Sequence, residues 1–347
     1  MDTKNRQFRP GRRAEASYAK TSRRLLRGQA SGKVNVFLAA GAARADGFHE
    51  LATIFQAVSL KERVDIETMP RYPVPRGHQL VRWLHVTGRD AERVPRDETN
   101  LAVRAVEAVA EAYYQRFPQL EYLPALHMYV HKGIPTAGGM AGGSADAAAA
   151  LWLMDRLLGS FFGAGLGTAQ LMRIAAQLGS DVPFVLRGGT ALGTGRGERL
   201  ERITAHGRFH WVFALAKKGL STPAVFRELD RLRADAGSPR PAMDPGAVIH
   251  ALSTGDPELL APALHNDLEV AAFSLRPELA DLKARASRLG ALGAILCGSG
   301  PTMAFLCADE LAAARVQEGL RGVAECAGVC AATAPAGGAE LARGGLD

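Results

Sequence analysis

Apolar runs predict two strands near the start of the ordered chain. KVNVFLAA (33–40) alternates weakly and is rich in β-branched residues, and LATIFQAVSL (51–60) resumes an apolar run after a polar turn. Residues 70–98 are rich in proline, arginine and glycine, which is typical of loops, and a short strand is expected near residues 80–86. We therefore expect ordered structure from about residue 30.

The middle of the chain combines a helical pattern with a strand pattern. LAVRAVEAVAEAYYQRF (101–117) has apolar residues at helical spacing. LHMYVHKGI (126–134) alternates with period two instead, which predicts a strand. One face of this strand is apolar and the other carries rings: Leu126, Met128 and Val130 against His127, Tyr129 and His131. The strand leads directly into a glycine-rich segment.

That segment, IPTAGGMAGGSADAA (134–148), holds four glycines before an alanine-rich helix expected over residues 145–158. A strand, a glycine loop and a helix in this order present several backbone N–H groups and a positive helix end to an anion, which favours a phosphate site. Ser144 is placed either to cap the helix or to offer its hydroxyl to a phosphate-bound magnesium ion. The alternative is a tight helix–strand junction that needs small residues only for packing. No Gly-Lys-Ser/Thr follows the turn, so the segment is not a Walker loop.

Two charged residues are candidates for chemistry beside such a loop. Lys33 opens the first strand, two residues before Asn35, and Asp181 lies between a helix expected to end near Gly179 and a proline-led strand. Each taken alone has a simpler interpretation, as a surface charge at a strand end or as a turn residue. Brought together beside a phosphate, the carboxylate can take a proton from a hydroxyl while the ammonium stabilises developing charge.

The composition is that of a globular protein with two packed domains. The 347 residues exceed the usual size of one domain, and 47% hydrophobic and 22% charged residues provide an ample core. No apolar run approaches the roughly 18 residues of a membrane span, and no apolar segment typical of a signal peptide begins the chain. We therefore expect a cytoplasmic protein. Its four cysteines lack zinc-ligand spacing, so we expect free thiols and no structural metal.

The net charge of +7 is concentrated at the N-terminus. Residues 1–29 contain nine basic and two acidic residues, so the remaining chain is formally neutral. A basic, polar segment without apolar periodicity is typical of a disordered extension. We expect residues 1–29 to form such an extension, and contact with RNA or an acidic partner is the alternative.

Four segments together resemble the GHMP small-molecule kinases. They are GKVNVFL…RADGFHEL, IPTAGGMAGGSADAA, LGSDVPF…GGTALGTGRGE and AILCGSGPTMAFL, and they occur in the order and spacing of that family. The resemblance runs from about Gly32 to about Cys307, continues weakly to the end and leaves out the first 29 residues. The glycine loop is shared by all members of the family. The DGFHEL turn is instead similar to the branch that acts on 4-diphosphocytidyl-2-C-methyl-D-erythritol, so it narrows the resemblance to that branch.

The resemblance implies a fold and a reaction. The fold is α+β with two domains: an S5-like ATP-binding domain over residues 30–203 and a ferredoxin-like domain over residues 204–347, with substrate between them. The reaction is phosphorylation of the 2-hydroxyl of 4-diphosphocytidyl-2-C-methyl-D-erythritol, with ATP and Mg²⁺, in the non-mevalonate isoprenoid pathway. The partner is then a small molecule, with no membrane and no nucleic acid expected. The alternatives are another GHMP kinase, acting on homoserine, mevalonate or a sugar, and an RNA-binding protein on an S5-like fold.

The resemblance also assigns roles residue by residue. Lys33 and Asp181 match the catalytic pair, and no metal ligand is assigned. The positions that match the nucleotide site are Asn100, Lys132, Pro135, Gly138, Gly139, Gly142, Gly143 and Ser144. Those that match the substrate pocket are Asn35, Phe48, His49, Thr222, Pro223 and Phe226, in which the two phenylalanine rings would clamp the cytosine and the histidine would read its edge. Gly298, Ser299 and Gly300 match a third glycine motif.

Two positions depart from the commonest family pattern. Phe48 stands where tyrosine is frequent, and stacking needs only the ring. Asp146 belongs to an Ala-Asp pair that replaces Ser-Asn, and it adds a negative charge near the phosphates. We expect Asp146 to cap its helix or form a salt bridge within it, rather than approach the metal through water.

Overall fold

Two β-sheets with helices packed on them make up the described part of the chain. The computed structural model describes residues 23–44, 47–136, 138–235 and 243–346, so residues 1–22 of the expected extension lie outside it. Within these ranges, no helix combines the length and the apolar character needed to cross a membrane.

Twelve strands are described. In chain order they are β1 (Leu25–Ala43), β2 (His49–Pro75), β3 (Val81–Gly88), β4 (Tyr122–Lys132), β5 (Thr190–Gly195), β6 (Arg199–Arg202), β7 (Phe209–Ala216), β8 (His265–Asn266), β9 (Gly293–Leu296), β10 (Met303–Cys307), β11 (Cys326–Ala334) and β12 (Glu340–Leu346).

Ten α-helices accompany these strands in the described ranges. They are α1 (Leu101–Arg116), α2 (Gly142–Phe162), α3 (Thr168–Leu178), α4 (Val182–Arg187), α5 (Thr222–Asp235), α6 (Gly246–Thr254), α7 (Pro257–Ala263), α8 (Leu268–Leu275), α9 (Glu278–Arg288) and α10 (Glu310–Leu320). A short 3₁₀ turn, Ala91–Arg93, follows β3.

The first sheet is built around β2, which is long enough to pair with three other strands. Its order is β12-β1-β2-β4-β3, while β5 pairs with the first part of β2 and β6 pairs with β5. The antiparallel β1–β2 register sets Lys33 opposite Ala57 and Asn35 opposite Phe55. These pairs place both candidate residues of β1 in the middle of the sheet.

The first strand begins earlier than expected. Leu25 pairs with Glu67 of β2, and the neighbouring Leu26 is buried, with 7% of its surface exposed. The boundary expected at residue 29 therefore lies inside a strand. Arg27 stands between buried Leu26 and Gly28, and the basic composition of the segment concealed the strand pattern.

The second sheet has the order β11-β7-β10-β9 and is antiparallel throughout. Alternate side chains of β7 serve two cores: Trp211 and Phe213 pack into the core shared with the first sheet, while Val212 and Ala214 pack against α5, α8, α9 and α10. The two halves of the chain are therefore joined by continuous apolar packing.

The C-terminal half also contributes to the first sheet. β8 pairs with β1 through Phe37 and His265, and β12 returns to pair with the beginning of β1, on the same edge and opposite to β2. The division expected after residue 203 thus crosses strand pairings, because the last strand of the chain belongs to the first sheet. The mixed architecture agrees with the expected α+β class.

The alanine-rich helix packs closely on the first sheet. In α2, Ala145 and residues 147–150 are fully buried, and α1 covers its other side. An added Cβ at Gly28 of β1 would lie 2.8 Å from the Leu153 side chain, so the sheet also uses a small residue there. This packing holds the start of α2 against β1.

Two local predictions were wrong. The proline-led segment after Asp181 is a helix, α4, and Pro183 stands in its first turn, where a missing N–H costs nothing. The expected loop after residue 70 begins as the last part of β2, because residues 73–75 still pair with β4. The short strand expected near residues 80–86 is confirmed as β3.

Candidate active site

A cavity of about 420 Å³ lies where the glycine loop, the start of α1 and Asp181 meet. Its apolar lining residues include Val94, Pro95 and Leu101. Its other lining residues include the charged Lys132, Asp146 and Asp181 and the glycine loop residues Pro135, Gly138, Gly139, Gly142 and Gly143. The cavity therefore offers apolar and polar walls to one ligand.

The N-terminus of α2 opens into this cavity without a side-chain cap. The helix begins at Gly142, and the preceding Ala141 has a left-handed backbone with φ 62° and makes no capping bond. Ser144 lies inside the first turn, so of its two expected roles the structure excludes the helix cap. The first N–H groups of a long helix are therefore left to bind an anion.

The four loop glycines have different roles. An added Cβ at Gly139 would overlap the carbonyl oxygen of Cys297, and one at Gly138 would lie 2.5 Å from the Thr302 hydroxyl. At Gly142 it would lie 2.9 Å from a carboxylate oxygen of Glu62, whereas at Gly143 the nearest atom is 3.7 Å away. Packing thus explains three glycines, and the exposed Gly143 is the one that leaves space on the cavity side.

Lys33 and Asp181 lie together at this site. The Lys33 ammonium is 3.9 Å from the Asp181 carboxylate, and the side chains are 5% and 31% exposed. The ammonium also donates to Asn35 Oδ1 at 2.6 Å, and Asn35 donates to Thr53 at 2.8 Å. This chain of bonds holds a buried cation beside an accessible carboxylate.

The glycine turn between β9 and β10 lies next to Lys33 and Asn35. Gly298 has φ 59°, and an added Cβ there would lie 3.5 Å from the Lys33 ammonium and 3.6 Å from Asn35 Oδ1. The turn is held by buried Asn266, which donates to the carbonyl oxygens of Leu296 and Gly298 at 2.8 Å each. Sequence reasoning missed Asn266, because only the folded chain brings β8 beside β9.

A buried charge cluster underlies the loop. The Lys132 ammonium is 2.6 Å from Glu62 Oε1 and also pairs with Asp146, and Glu62 accepts the Gly133 N–H at 2.7 Å. The resemblance placed Lys132 in the nucleotide site, but its ammonium is buried and paired with two carboxylates within the protein. The expectation that Asp146 pairs within its own helix was wrong, because its partner lies on β4.

Burial sets the protonation of this cluster. Burial raises the pKa of Asp146 to about 7 against the opposing attraction of Lys132, and it also raises the pKa of Glu62. For Lys132, burial alone would lower the pKa, but the two carboxylates raise it above its ordinary value. Asp146 Oδ1 has no hydrogen-bond partner among the described residues. Two buried acids thus share one base.

Asn100 positions one wall of the cavity by hydrogen bonds from its side chain to backbone groups of Pro95 and Ala102. It is the N-cap of α1, where its side chain accepts the Ala102 N–H at 2.9 Å and donates to the Pro95 carbonyl at 2.7 Å. These two bonds use both ends of the amide. Asn100 therefore holds the segment around Pro95 against the cavity.

The residues expected to bind cytosine come from the start of β2 and from α5. Phe48 is 52% exposed, while His49 is buried and its Nε2 lies 2.9 Å from Asp230. The His49 ring stacks on Phe226, with centroids 4.7 Å apart. Two further expected residues, Thr222 and Pro223, begin α5, and Thr222 lies 2.7 Å from the Ser299 hydroxyl. The Phe226 ring is thus stacked on His49 in this structure.

No group of three or more histidine, cysteine or acidic side chains is placed to hold a metal ion within the described ranges. Cys297, Cys307, Cys326 and Cys330 are free, as expected. Burial raises the pKa of Cys297 to about 12, so this thiol beside the glycine loop is a poor nucleophile.

The chain matches two family models and several known proteins. The model for the N-terminal domain of GHMP kinases matches residues 100–189, and that for the C-terminal part matches residues 248–326. A 4-diphosphocytidyl-2-C-methyl-D-erythritol kinase of Streptomyces coelicolor is 50% identical over 311 residues, covering 89% of this chain and 96% of the relative. The kinase of that name from Rhodococcus jostii is 48% identical, covering 90% and 94%.

A solved structure gives the same result. The crystal structure of a 4-(cytidine 5'-diphospho)-2C-methyl-D-erythritol kinase is similar with a TM-score of 0.66 and 30% identity, covering 91% of this chain and 100% of that one. Sequence and fold therefore agree over most of the chain.

The different surroundings of the loop glycines predict different mutant phenotypes. Gly139→Ala meets the Cys297 carbonyl and needs a left-handed backbone, so it should lower stability by about 1–3 kcal/mol or more. Gly143→Val should leave the melting temperature near that of the wild type but weaken binding of a non-hydrolysable ATP analogue at least about tenfold. Calorimetry measures both quantities, and normal analogue binding by a folded Gly143→Val protein would remove the loop from the nucleotide site.

The charge cluster predicts a pH dependence of stability. The folded-state pKa of Asp146 is raised, so its contribution is complete below the unfolded pKa, near pH 4, and is lost as pH rises through about 7. From pH 5.5 to 8, the wild type should lose about 2 kcal/mol that Asp146→Asn retains. Thermal unfolding of both proteins measures this difference, in which the titrating groups outside the Glu62–Lys132–Asp146 cluster cancel. Parallel pH profiles would contradict a raised pKa at Asp146.

Proposed function

The chain belongs to the GHMP kinases and, within them, to the 4-diphosphocytidyl-2-C-methyl-D-erythritol kinases, and from this premise we propose that it phosphorylates the 2-hydroxyl of 4-diphosphocytidyl-2-C-methyl-D-erythritol. It is an ATP-dependent small-molecule kinase, a transferase of isoprenoid biosynthesis by the non-mevalonate route. The observation that carries the proposal is the Lys33–Asp181 pair beside the uncapped start of α2.

The cavity suits ATP in one orientation. The triphosphate lies against the N–H groups of Gly143 and Ser144, where the helix end and its free donors favour negative charge. The adenine lies against the apolar side formed by Val94, Pro95 and Leu101. Lys132 and Asn100 support the walls of this pocket and do not bind the nucleotide with their polar atoms, because those atoms bond to Glu62 and to the Pro95 carbonyl.

Magnesium accompanies the nucleotide in this proposal. The ion would be held chiefly by phosphate oxygens, as is usual for Mg²⁺ in kinases, which fits a site without a dedicated cage of acidic residues in the described ranges. The hydroxyl of Ser144, in the first turn of α2, is the protein oxygen that we assign to it. The ion would offset charge on the transferring phosphate.

Asp181 and Lys33 then divide the work of transfer. Asp181 accepts the proton of the 2-hydroxyl as the oxygen forms its bond to the terminal phosphorus and ADP departs. Lys33 offsets charge that develops on the phosphate oxygens. Asn35 holds the Lys33 ammonium in place through its 2.6 Å bond. Positioning and electrostatics carry most of the rate.

The acceptor occupies the cleft near Phe48 and α5. Phe48 is exposed and can cover one face of the cytosine. The second ring, Phe226, is reached when the base displaces it from His49, whose imidazole then reads the base edge while Asp230 orients it. Thr222 and Pro223 complete this wall beside Ser299. The cytosine clamp thus needs a rearrangement of one ring.

The two-domain division stays part of the proposal. The matched segments, 100–189 and 248–326, fall on either side of the expected boundary at residue 203 and support it. The last strand, β12, returns to the first sheet, so the N-terminal domain includes the end of the chain. The active site lies where both domains meet.

An acceptor panel tests the proposed substrate. ADP release should be measured with 4-diphosphocytidyl-2-C-methyl-D-erythritol, homoserine, mevalonate and galactose as separate acceptors. We expect kcat/KM for the first to exceed that for the others at least about a thousandfold, since only it offers a base to the rings and a hydroxyl to Asp181. Preference for another acceptor would overturn the proposed substrate, whereas the assignment of the chain to the GHMP kinases would still hold.

The catalytic pair predicts coupled losses. Asp181→Asn should slow turnover roughly 10²–10⁴-fold with the acceptor still bound, because the amide cannot take the proton. Lys33→Met should slow it too, and the double variant should cost much less than the product of the two single losses. Single-turnover rates with saturating ATP measure all three. Multiplicative losses would show that the two residues act independently.

A further inference from the structure

A hairpin next to the acceptor wall presents an arginine that the proposed reaction does not use. Arg196 lies between β5 and β6 and is exposed. Its guanidinium carbon is 5.1 Å from the centroid of the Phe48 ring. Among the described residues, none forms an ion pair with this guanidinium. Within the described part of the chain, the guanidinium N–H donors of Arg196 are therefore available to bind a ligand. They lie next to the Phe48 ring, which the acceptor approaches in the proposed function.

Backbone contacts fix the hairpin in this place. β5 pairs with β2 so that Gly195 stands opposite Leu51, and the Gly195 N–H donates to Glu50 Oε1 at 3.0 Å. The turn closes through the Gly197 N–H, which donates to the Thr194 carbonyl at 3.1 Å. The Arg196 side chain therefore starts beside the Phe48–His49 segment as a consequence of sheet register.

Its neighbours show that a free arginine here is unusual. Arg44, which follows β1 and precedes Phe48 in the chain, lies 3.1 Å from Glu50 Oε2. The carboxylates of Glu50, on β2, and Glu198, in the hairpin turn, accept the Gly195 and Arg196 backbone N–H groups. An ordinary solvated arginine would also lack a partner, but it would not be stacked on a substrate-facing ring.

We propose that Arg196 binds the diphosphate of the acceptor. This inference rests on the proposed function, in which Phe48 covers the cytosine. Beyond the base and its ribose, the acceptor carries two phosphates, and a guanidinium binds phosphate oxygens through two parallel N–H donors. The Phe48 ring holds the guanidinium plane by a cation–π contact, which reduces the freedom lost on binding. Arg196 is thus a specificity residue that reads the charge next to the cytidine.

The test separates recognition of phosphate from recognition of the base. Dissociation constants for cytidine, CMP and CDP are measured by titration calorimetry, with the ATP site filled by a non-hydrolysable ATP analogue. The proteins are the wild type, Arg196→Gln, Arg199→Gln and Phe226→Leu. Arg199 is the matched control, since it is exposed on β6 of the same hairpin. Melting temperatures establish that each variant is folded.

The wild type should bind CDP more tightly than cytidine. In Arg196→Gln, CDP should bind about 10- to 100-fold more weakly, the range for a lost charge-assisted bond, while cytidine binding is unchanged. Arg199→Gln should behave as the wild type, and Phe226→Leu should weaken cytidine and CDP by the same factor. An unchanged ratio of CDP to cytidine affinity in Arg196→Gln would overturn the inference. A wild type that binds none of the three ligands would instead overturn the proposed substrate, and the inference with it.

Discussion

The contact between two glycine turns is the constraint on which the rest of this site depends. The loop at Gly138 and Gly139 lies against the turn from Cys297 to Thr302 so closely that neither glycine has room for a Cβ. The same turn places Gly298 over the Lys33 ammonium. Because the loop comes from the first sheet and the turn from the second, their contact brings both domains to one place.

Charge placement follows from this contact. Lys33 is held buried by Asn35 with its ammonium toward Asp181, which stays accessible from the cavity. Below the loop, Lys132 offsets only one of the two buried acids Glu62 and Asp146. The start of α2, with no capping side chain, offers positive charge from free N–H groups instead. The free backbone N–H groups and the Lys33 ammonium thus supply the positive charge at this site.

Much of this arrangement could be predicted from the sequence. Local patterns predicted β1, α1, β4 and the loop before α2, because each depends on spacing within a few residues. The motifs carried the pairing of Lys33 with Asp181, which composition alone did not indicate. Local rules failed after Asp181, where a proline within the first turn of a helix was taken for the start of a strand.

What could not be predicted depends on contacts between distant segments. Asn266 meets the glycine turn through β8, and Lys132 meets Glu62 through the pairing of β2 with β4. No local pattern shows which polar residue will be buried with a partner 70 positions away. The stacking of His49 on Phe226 is of the same kind, since it joins β2 to α5. The family resemblance named both rings, but it did not show that they touch before the base binds.

A crystal structure with a non-hydrolysable ATP analogue, Mg²⁺ and 4-diphosphocytidyl-2-C-methyl-D-erythritol tests the central claim most directly. The claim is that the glycine loop, packed against the turn from Cys297 to Thr302, binds the nucleotide with its terminal phosphate directed toward Lys33 and Asp181. We expect the phosphates against the N–H groups of Gly143 and Ser144, with the 2-hydroxyl within hydrogen-bond reach of Asp181 and in line with the terminal phosphate. Phosphates bound away from the start of α2, or a 2-hydroxyl remote from Asp181, would contradict the account.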